Sequence, residues 1–320
     1  MLNALSYKTK QFFFVLIKIS IVVASFYFIY VKLTKNTDFE YSVFIDFLNR
    51  NNLFSLKTIL FLLILTGLNW FSEILKWQKL ISSIKKISLK NAFEQSLGSL
   101  TASLFTPNRI GEYGAKAIFY TKEYRKRIML INLLSNVLQM GITCILGFVG
   151  FSFFISKYAV SINYYKILLL SVLTILLIII AFFILSKTKF SFKGFSFEKI
   201  KTFILNYPKK QIVYGFWLSL FRYAFFSFQF YYLLTLFGIH ISYLQAMMVI
   251  STMYLLTSII PSIFIFDVII KGSVAVYLFS FLGINTLTIL STVTIMWFFN
   301  FVLPSIIGSY FVLNFNFPKE

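Results

Sequence analysis

One short polar segment, residues 106–116, constrains this chain more than any other part of its sequence. It reads TPNRIGEYGAK, so it combines a helix-breaking proline, two glycines and three charged side chains, and it lies between long apolar runs. Charges and broken backbone persist inside a bilayer only where they are paired, buried in protein or lining a polar cavity. The rest of the chain must therefore shield this segment from lipid.

The composition places the whole chain in a membrane. Of its 320 residues, 59% are hydrophobic and 12% are charged, whereas soluble domains average about 45–50% apolar and about 25% charged residues. We predict an all-α polytopic membrane protein with one transmembrane domain over residues 1–320. It would have about six full spans and two re-entrant broken-helix hairpins, or about eight spans if the hairpins cross.

A second apolar segment is broken in the same way as the first. In each segment a proline precedes an acid, and a lysine follows four residues after the acid: Pro107, Glu112 and Lys116 in one, Pro261, Asp267 and Lys271 in the other. We interpret the two segments as the centres of an internal repeat with halves at about 58–155 and 211–312. An odd number of predicted spans separates them, so the second hairpin would enter from the opposite face, as in inverted-repeat transporters.

The positive charge predicts how the chain is oriented. The net charge is +20, and the basic residues concentrate in the segments 79–90, 122–127 and 187–210, which we predict to be cytoplasmic loops. This orientation places the protein in the cell (inner) membrane with both termini in the cytoplasm. Because the basic residues flank apolar spans, they indicate contact with anionic lipid rather than nucleic acid.

The first broken segment has the features of an anion site. Thr106 is a favourable N-cap and Pro107 a favourable first helical residue, so a half-helix is predicted from Asn108, with its free amides inside the membrane domain. The Arg109 guanidinium suits bidentate contact with phosphate. Gly111 and Gly114 are expected to allow close backbone approach.

Paired charges complete the predicted site. Glu112 precedes Lys116 by four residues, the favourable order for a helical ion pair, and Asp267 with Lys271 repeats that spacing. Arg222 shares a helix face with Gln229. The candidate headgroup-binding residues are Asn108, Arg109, Gly111, Glu112, Lys116, Arg222, Asp267 and Lys271. Each charged pair has the alternative of neutralising itself or of holding the two halves together, and Glu73 with Lys76 is expected to be such a pair near an interface.

No catalytic or metal-binding pattern stands out in the sequence. Cys144 lies in an apolar run and His240 has no cluster of ligands near it. No nucleotide-binding or Ser–His–Asp pattern is found. We expect no cofactor, no metal site and no enzymatic activity, with an intramembrane transferase as the weakest alternative.

The broken segment resembles the lysylphosphatidylglycerol synthase transmembrane region family, also called flippase-like membrane proteins. The resemblance rests on the Pro-x-Arg-x-Gly-Glu core at residues 107–112, and it covers nearly the whole chain. Further matching positions are Lys116, Arg222, Tyr223, Gln229, Pro261, Asp267, Lys271, Gly272, Trp297, Asn300 and Pro304. Asp267 and Lys271 stand where the family usually has Glu and Arg.

The resemblance implies a protein that moves lipid. In the family's bifunctional members this region carries aminoacylated phosphatidylglycerol across the bilayer. The present chain has no soluble aminoacyltransferase domain, so we do not expect it to synthesise the lipid. The expected partners are membrane lipids, with a second copy of the chain or a protein of envelope biosynthesis as further candidates, and no nucleic acid. The alternative function is a non-transporting accessory of cell-envelope glycolipid assembly.

Overall fold

The structure is a computed structural model that describes residues 41–104, 106, 110–158, 191–192, 195–259 and 264–316. The predicted spans at 12–33 and 165–185 lie outside these residues. A π-helix, Phe298–Val302, joins α10 to α11, and a short hairpin of β1 (Ser191–Phe192) and β2 (Phe195–Ser196) precedes α6. The helices are α1 Tyr41–Arg50, α2 Leu56–Ile81, α3 Leu89–Ser103, α4 Gly111–Ala117, α5 Lys122–Tyr158, α6 Phe197–Leu205, α7 Lys209–Leu236, α8 Tyr243–Ile259, α9 Phe264–Ser280, α10 Thr286–Trp297 and α11 Leu303–Leu313.

The predicted all-α polytopic membrane class is confirmed. Within the described residues, Leu56–Ile81, Lys122–Tyr158 and Thr286–Leu313 are long and apolar enough to cross a bilayer. The prediction of a loop at 122–127 is wrong, because these residues form the first turns of α5. This helix has 37 residues, whereas about 20 are enough to cross a bilayer core. Its basic first turns therefore extend beyond the hydrocarbon, where charged side chains do not oppose helix formation.

The first broken segment folds back on itself. The Tyr120 hydroxyl, just after α4, donates a 2.8 Å hydrogen bond to Gln95 Oε1 in the first half of α3. Trp77, near the end of α2, donates to the same oxygen at 2.8 Å. Both outer ends of the α3–α4 hairpin therefore lie beside the end of α2 and the start of α5.

The second broken segment has its outer ends at the other end of α5. Gln245, at the start of α8, donates a 2.9 Å hydrogen bond to the hydroxyl of Tyr158, the last residue of α5. The Tyr158 ring centre also lies 6.0 Å from that of Phe281, which directly follows α9. Since the two hairpins begin and end at opposite ends of α5, their placement supports the prediction of an inverted repeat.

Contacts between the two halves are reciprocal. The most extensive helix contacts join α2 to α7, α3 to α11 and α5 to α8. In the repeat, α3 corresponds to α8 and α5 corresponds to α11. The contact of α3 with α11 is therefore the counterpart of the contact of α8 with α5. Glycine makes both contacts close, because a Cβ on Gly308 would collide with the Leu97 carbonyl and a Cβ on Gly150 with the Ser251 side chain.

The basic ends of several helices gather on one side of the bundle. The Tyr207 hydroxyl, in the turn before α7, donates to the Leu80 carbonyl and accepts from Ser83 Oγ at 3.2 Å. Burial raises the pKa of Tyr207 to about 12, so the hydroxyl keeps the proton that it donates. The turn before α7 is thereby fixed against the turn after α2, as expected if residues 79–90 and 187–210 face the same compartment.

Candidate functional site

A buried carboxylate joins α2 to α7. Glu73 Oε2 lies 2.7 Å from Lys76 Nζ and 2.6 Å from Arg222 Nη1. The Glu73 and Lys76 side chains are almost fully enclosed, whereas 20% of the Arg222 side chain is exposed. The predicted Glu73–Lys76 pair is confirmed, but it is buried in the bundle, and its second cation was not predicted.

A chain of side-chain hydrogen bonds extends from Arg222 through the bundle. Arg222 Nε donates to Asn69 Oδ1 at 3.3 Å, and Asn69 Nδ2 donates to Asn300 Oδ1 at 2.8 Å. Asn300 Nδ2 donates to Gln229 Oε1 at 2.8 Å, and Gln229 Nε2 donates to Thr66 Oγ1 at 3.0 Å. The chain links α2, α7 and the π-helix, and buried polar groups linked in this way hold one arrangement of the helices.

The π-helix that carries Asn300 has a local cause. Proline has no amide hydrogen, so Pro304 cannot make the helical bond to the carbonyl of residue 300. The indole of Trp70 on α2 donates to that carbonyl instead, at 3.0 Å. Such π-helical turns occur frequently at functional sites, and this one turns Asn300 toward α2 and α7.

The second buried ion pair is Glu112 with Lys116 on α4. Lys116 Nζ lies 2.7 Å from Glu112 Oε1 and donates to Asn132 Oδ1 on α5 at 2.9 Å. It also lies 4.3 Å from the centre of the Trp77 ring, a cation–π contact. The predicted pair is confirmed.

The start of α4 differs from the prediction. The helix begins at Gly111, not at Asn108, and has seven residues. Its N-cap is Ile110, so the prediction of Thr106 as the N-cap is wrong. Thr106 Oγ1 nevertheless accepts a hydrogen bond from the Gly111 amide at 2.8 Å. A Cβ at Gly111 would lie 2.7 Å from Thr106 Cγ2, so a close approach to the backbone occurs there. Gly114 faces open space, and the prediction for Gly114 stays a prediction. Asn108 and Arg109 lie outside the described residues.

Lys271 is on the opposite half of the bundle. Its Nζ lies 5.5 Å from the centre of the Phe301 ring in the π-helix. The backbone of Asp267 is in the same helix, α9, but its side chain lies outside the description, so the predicted Asp267–Lys271 pair stays a prediction. Lys271 borders a pocket whose other lining residues are Phe226, Phe230, Met253, Tyr254, Val268, Val293, Met296, Trp297 and Phe301.

Three polar residues of the site were not predicted: Thr66, Gln95 and Asn132. Thr66, Asn69, Glu73 and Lys76 follow one face of α2 at helical spacing, and all four are buried. The helical spacing of these four residues could have been recognised in the sequence. Gln95 and Asn132 lie among other buried polar residues of their helices, and only the packing of α3 and α5 against Trp77 and Lys116 gives them their partners.

The described charges of the two clusters do not balance. Lys76, Lys116 and Arg222 are three cations, against the two carboxylates of Glu73 and Glu112. No group of three His, Cys, Asp or Glu side chains suited to a metal ion occurs in the described residues. The arrangement therefore favours an anion, and the guanidinium of Arg222 is its most exposed cation.

A family model described as "Lysylphosphatidylglycerol synthase TM region" matches residues 15–308 of the chain. The match covers both ion clusters, the π-helix and both broken hairpins. Searches of curated proteins and of solved structures gave no match.

Proposed function

The chain belongs to the lysylphosphatidylglycerol synthase TM region family, and from that premise we propose that it translocates a lipid across the membrane. The substrate class is an anionic or aminoacylated phospholipid, or a related lipid-linked headgroup. One observation carries the proposal: among the described residues, the buried ion clusters of a membrane domain hold more cations than carboxylates, with Arg222 partly exposed. Charged side chains inside a membrane domain are costly and usually functional.

Arg222 is the residue at which a lipid phosphate can replace a carboxylate of the protein. In the structure its guanidinium is bound by Glu73, and Glu73 has a second cation in Lys76. A lipid phosphate that reaches Arg222 can replace Glu73 as its partner and bind the guanidinium bidentately, without leaving Glu73 unpaired, because Lys76 remains. For an aminoacylated lipid, the same displacement leaves the position of Arg222 at Glu73 Oε2 to the ammonium group of the substrate.

The two hairpins supply the path for this exchange. They start from opposite ends of α5, and an inverted repeat of broken helices that meet within the bilayer is the arrangement of many secondary transporters. The predicted orientation, in the inner membrane with cytoplasmic termini, belongs to this proposal. Arg109, Asn108, Asp267 and Lys271 remain its candidate headgroup contacts.

The alternative is an accessory of envelope glycolipid assembly that binds lipid without moving it. The test is reconstitution of the purified chain in vesicles that contain fluorescent phosphatidylglycerol, with dithionite added outside. Translocation predicts that dithionite reduces nearly all of the fluorescence, against about half in protein-free vesicles. A loss that stays at half, with lipid binding retained on the purified protein, would favour the accessory role.

A further inference from the structure

The pocket beside Lys271 lies apart from the Glu73 and Lys116 clusters. Its enclosed volume is about 20 Å³, and it opens to the surface. Apolar and aromatic side chains from α7, α8, α9, α10 and the π-helix form most of its walls. The one charged residue among those that line it is Lys271.

Two of the residues that line this pocket carry a buried polar atom without a partner. Trp297 is 5% exposed and Tyr254 is 8% exposed. Neither the Trp297 indole Nε1 nor the Tyr254 hydroxyl has a hydrogen-bond partner. A buried donor left unpaired costs about 1–3 kcal/mol, so native structures rarely retain such groups without a reason. Because both residues line the same pocket, an acceptor that enters it is the candidate partner for both donors.

In the first half of the chain, a lysine and an indole both have partners within the protein. There the lysine at the equivalent position of the repeat, Lys116, is held by Asn132, Glu112 and the face of Trp77. The indole Nε1 of Trp77 is bound by Gln95 at 2.8 Å. In the second half, Lys271 lies over the ring of Phe301. Trp297, which is not at the repeat position of Trp77, has no hydrogen-bond partner for its indole and lines the pocket beside Lys271.

We propose that this pocket binds the phosphate ester of an anionic phospholipid, through Trp297 Nε1, the Tyr254 hydroxyl and the Lys271 ammonium. These groups are a neutral N–H, a hydroxyl and a cation, so they suit an anionic acceptor. The surrounding apolar walls suit the start of the acyl chains. The assignment rests on the proposed function for its ligand class, but it requires binding only, not transport.

The experiment is native mass spectrometry of the purified full chain with phosphatidylglycerol. Trp297→Phe and Tyr254→Phe each remove one donor and keep the ring, and each should weaken phosphatidylglycerol binding about threefold to tenfold. The matched controls are Trp217→Phe and Tyr277→Phe, whose side chains are exposed, and these should bind like the parent. Thermal melting verifies the fold of every variant.

Two further ligands test separately whether the pocket recognises the phosphate and whether it recognises the acyl chains. Diacylglycerol, which lacks phosphate, should bind weakly and equally to all variants, and glycerol phosphate, which lacks acyl chains, should bind weakly to the parent. If Trp297→Phe weakens diacylglycerol binding as much as it weakens phosphatidylglycerol binding, the phosphate assignment is overturned. Tight binding of glycerol phosphate would overturn the lipid assignment.

Crosslinking on the unmodified protein provides a measurement that does not depend on the variants. A photoactivatable phosphatidylglycerol should label peptides of α8 or α10, and labelling that avoids both helices overturns the proposal. If the donor variants lose binding while vesicles show no translocation, the pocket stands and the proposed function fails. If translocation occurs while both donor variants bind phosphatidylglycerol normally, the pocket proposal fails alone.

Discussion

Arg222 and Glu73 pair across two helices, with Arg222 Nη1 2.6 Å from Glu73 Oε2. The same carboxylate oxygen lies 2.7 Å from Lys76 Nζ, so one acid serves two cations. Loss of either cation leaves a neutral pair in place, whereas loss of the carboxylate leaves two like charges in a buried site. This asymmetry decides which variants of the cluster can be used to study function.

Glu73→Gln should destabilise the protein more than Arg222→Gln or Lys76→Met. Removing one partner from a buried ion pair costs roughly 3–5 kcal/mol because the remaining charge is uncompensated, and here two charges would remain. Thermal melting of the purified variants in the same detergent measures their order of stability. Equal melting temperatures for Glu73→Gln and Arg222→Gln would contradict the shared-acid arrangement.

Variants of the Glu112–Lys116 pair distinguish a structural role of the pair from a role in handling substrate. Lys116→Met leaves the Glu112 carboxylate buried and should lower the melting temperature markedly, whereas the double variant Glu112→Gln with Lys116→Met should recover much of it. If the pair handles substrate, the double variant folds but loses lipid translocation. A double variant with full activity would show that the pair is structural.

Trp70 and Pro304 should be energetically coupled. Trp70→Phe removes the indole donor from the Asn300 carbonyl and should cost about 1 kcal/mol. Pro304→Ala restores an amide that can bond to that carbonyl, so Trp70→Phe should cost less in this background. A double-mutant cycle by chemical denaturation measures the coupling, and additive effects would disprove that the indole replaces the missing amide.

Accessibility of introduced cysteines tests the orientation. In a Cys144→Ser background, cysteines at Ser83 and Thr121 should resist an impermeant thiol reagent in intact cells, while a cysteine at Ser242 should react. Ser83 and Thr121 flank the α3–α4 hairpin, and Ser242 precedes α8 at the other end of the bundle. Reaction at Thr121 but not at Ser83 would mean that the segment between them crosses the membrane.

Apolar runs and breakers predicted the apolar helices of the described residues, since hydrophobic length and the prolines at 107 and 261 are local properties of the sequence. The prediction of a loop at 187–210 is wrong, because the helix α6, Phe197–Leu205, lies within it. The extent of α5 was misjudged because charge marks the edge of the hydrocarbon, not the end of a helix. The start of α4 depends on Thr106 Oγ1 reaching Gly111, which spacing alone does not fix. The partners of Arg222 come from α2 and the π-helix, far away in sequence, so only the packing of α2 against α7 reveals them.

Lipid translocation by an Arg222→Gln variant, in vesicles with fluorescent phosphatidylglycerol, tests the central claim most directly. The variant keeps the Glu73–Lys76 pair and should therefore fold, but it loses charge-assisted contacts worth about 1.5–3 kcal/mol each. We predict a translocation rate at least about tenfold below that of the parent. Arg127→Gln, the same change at an exposed position of α5, should retain the parental rate. Parental translocation by Arg222→Gln would contradict the claim that the buried ion cluster handles the lipid headgroup.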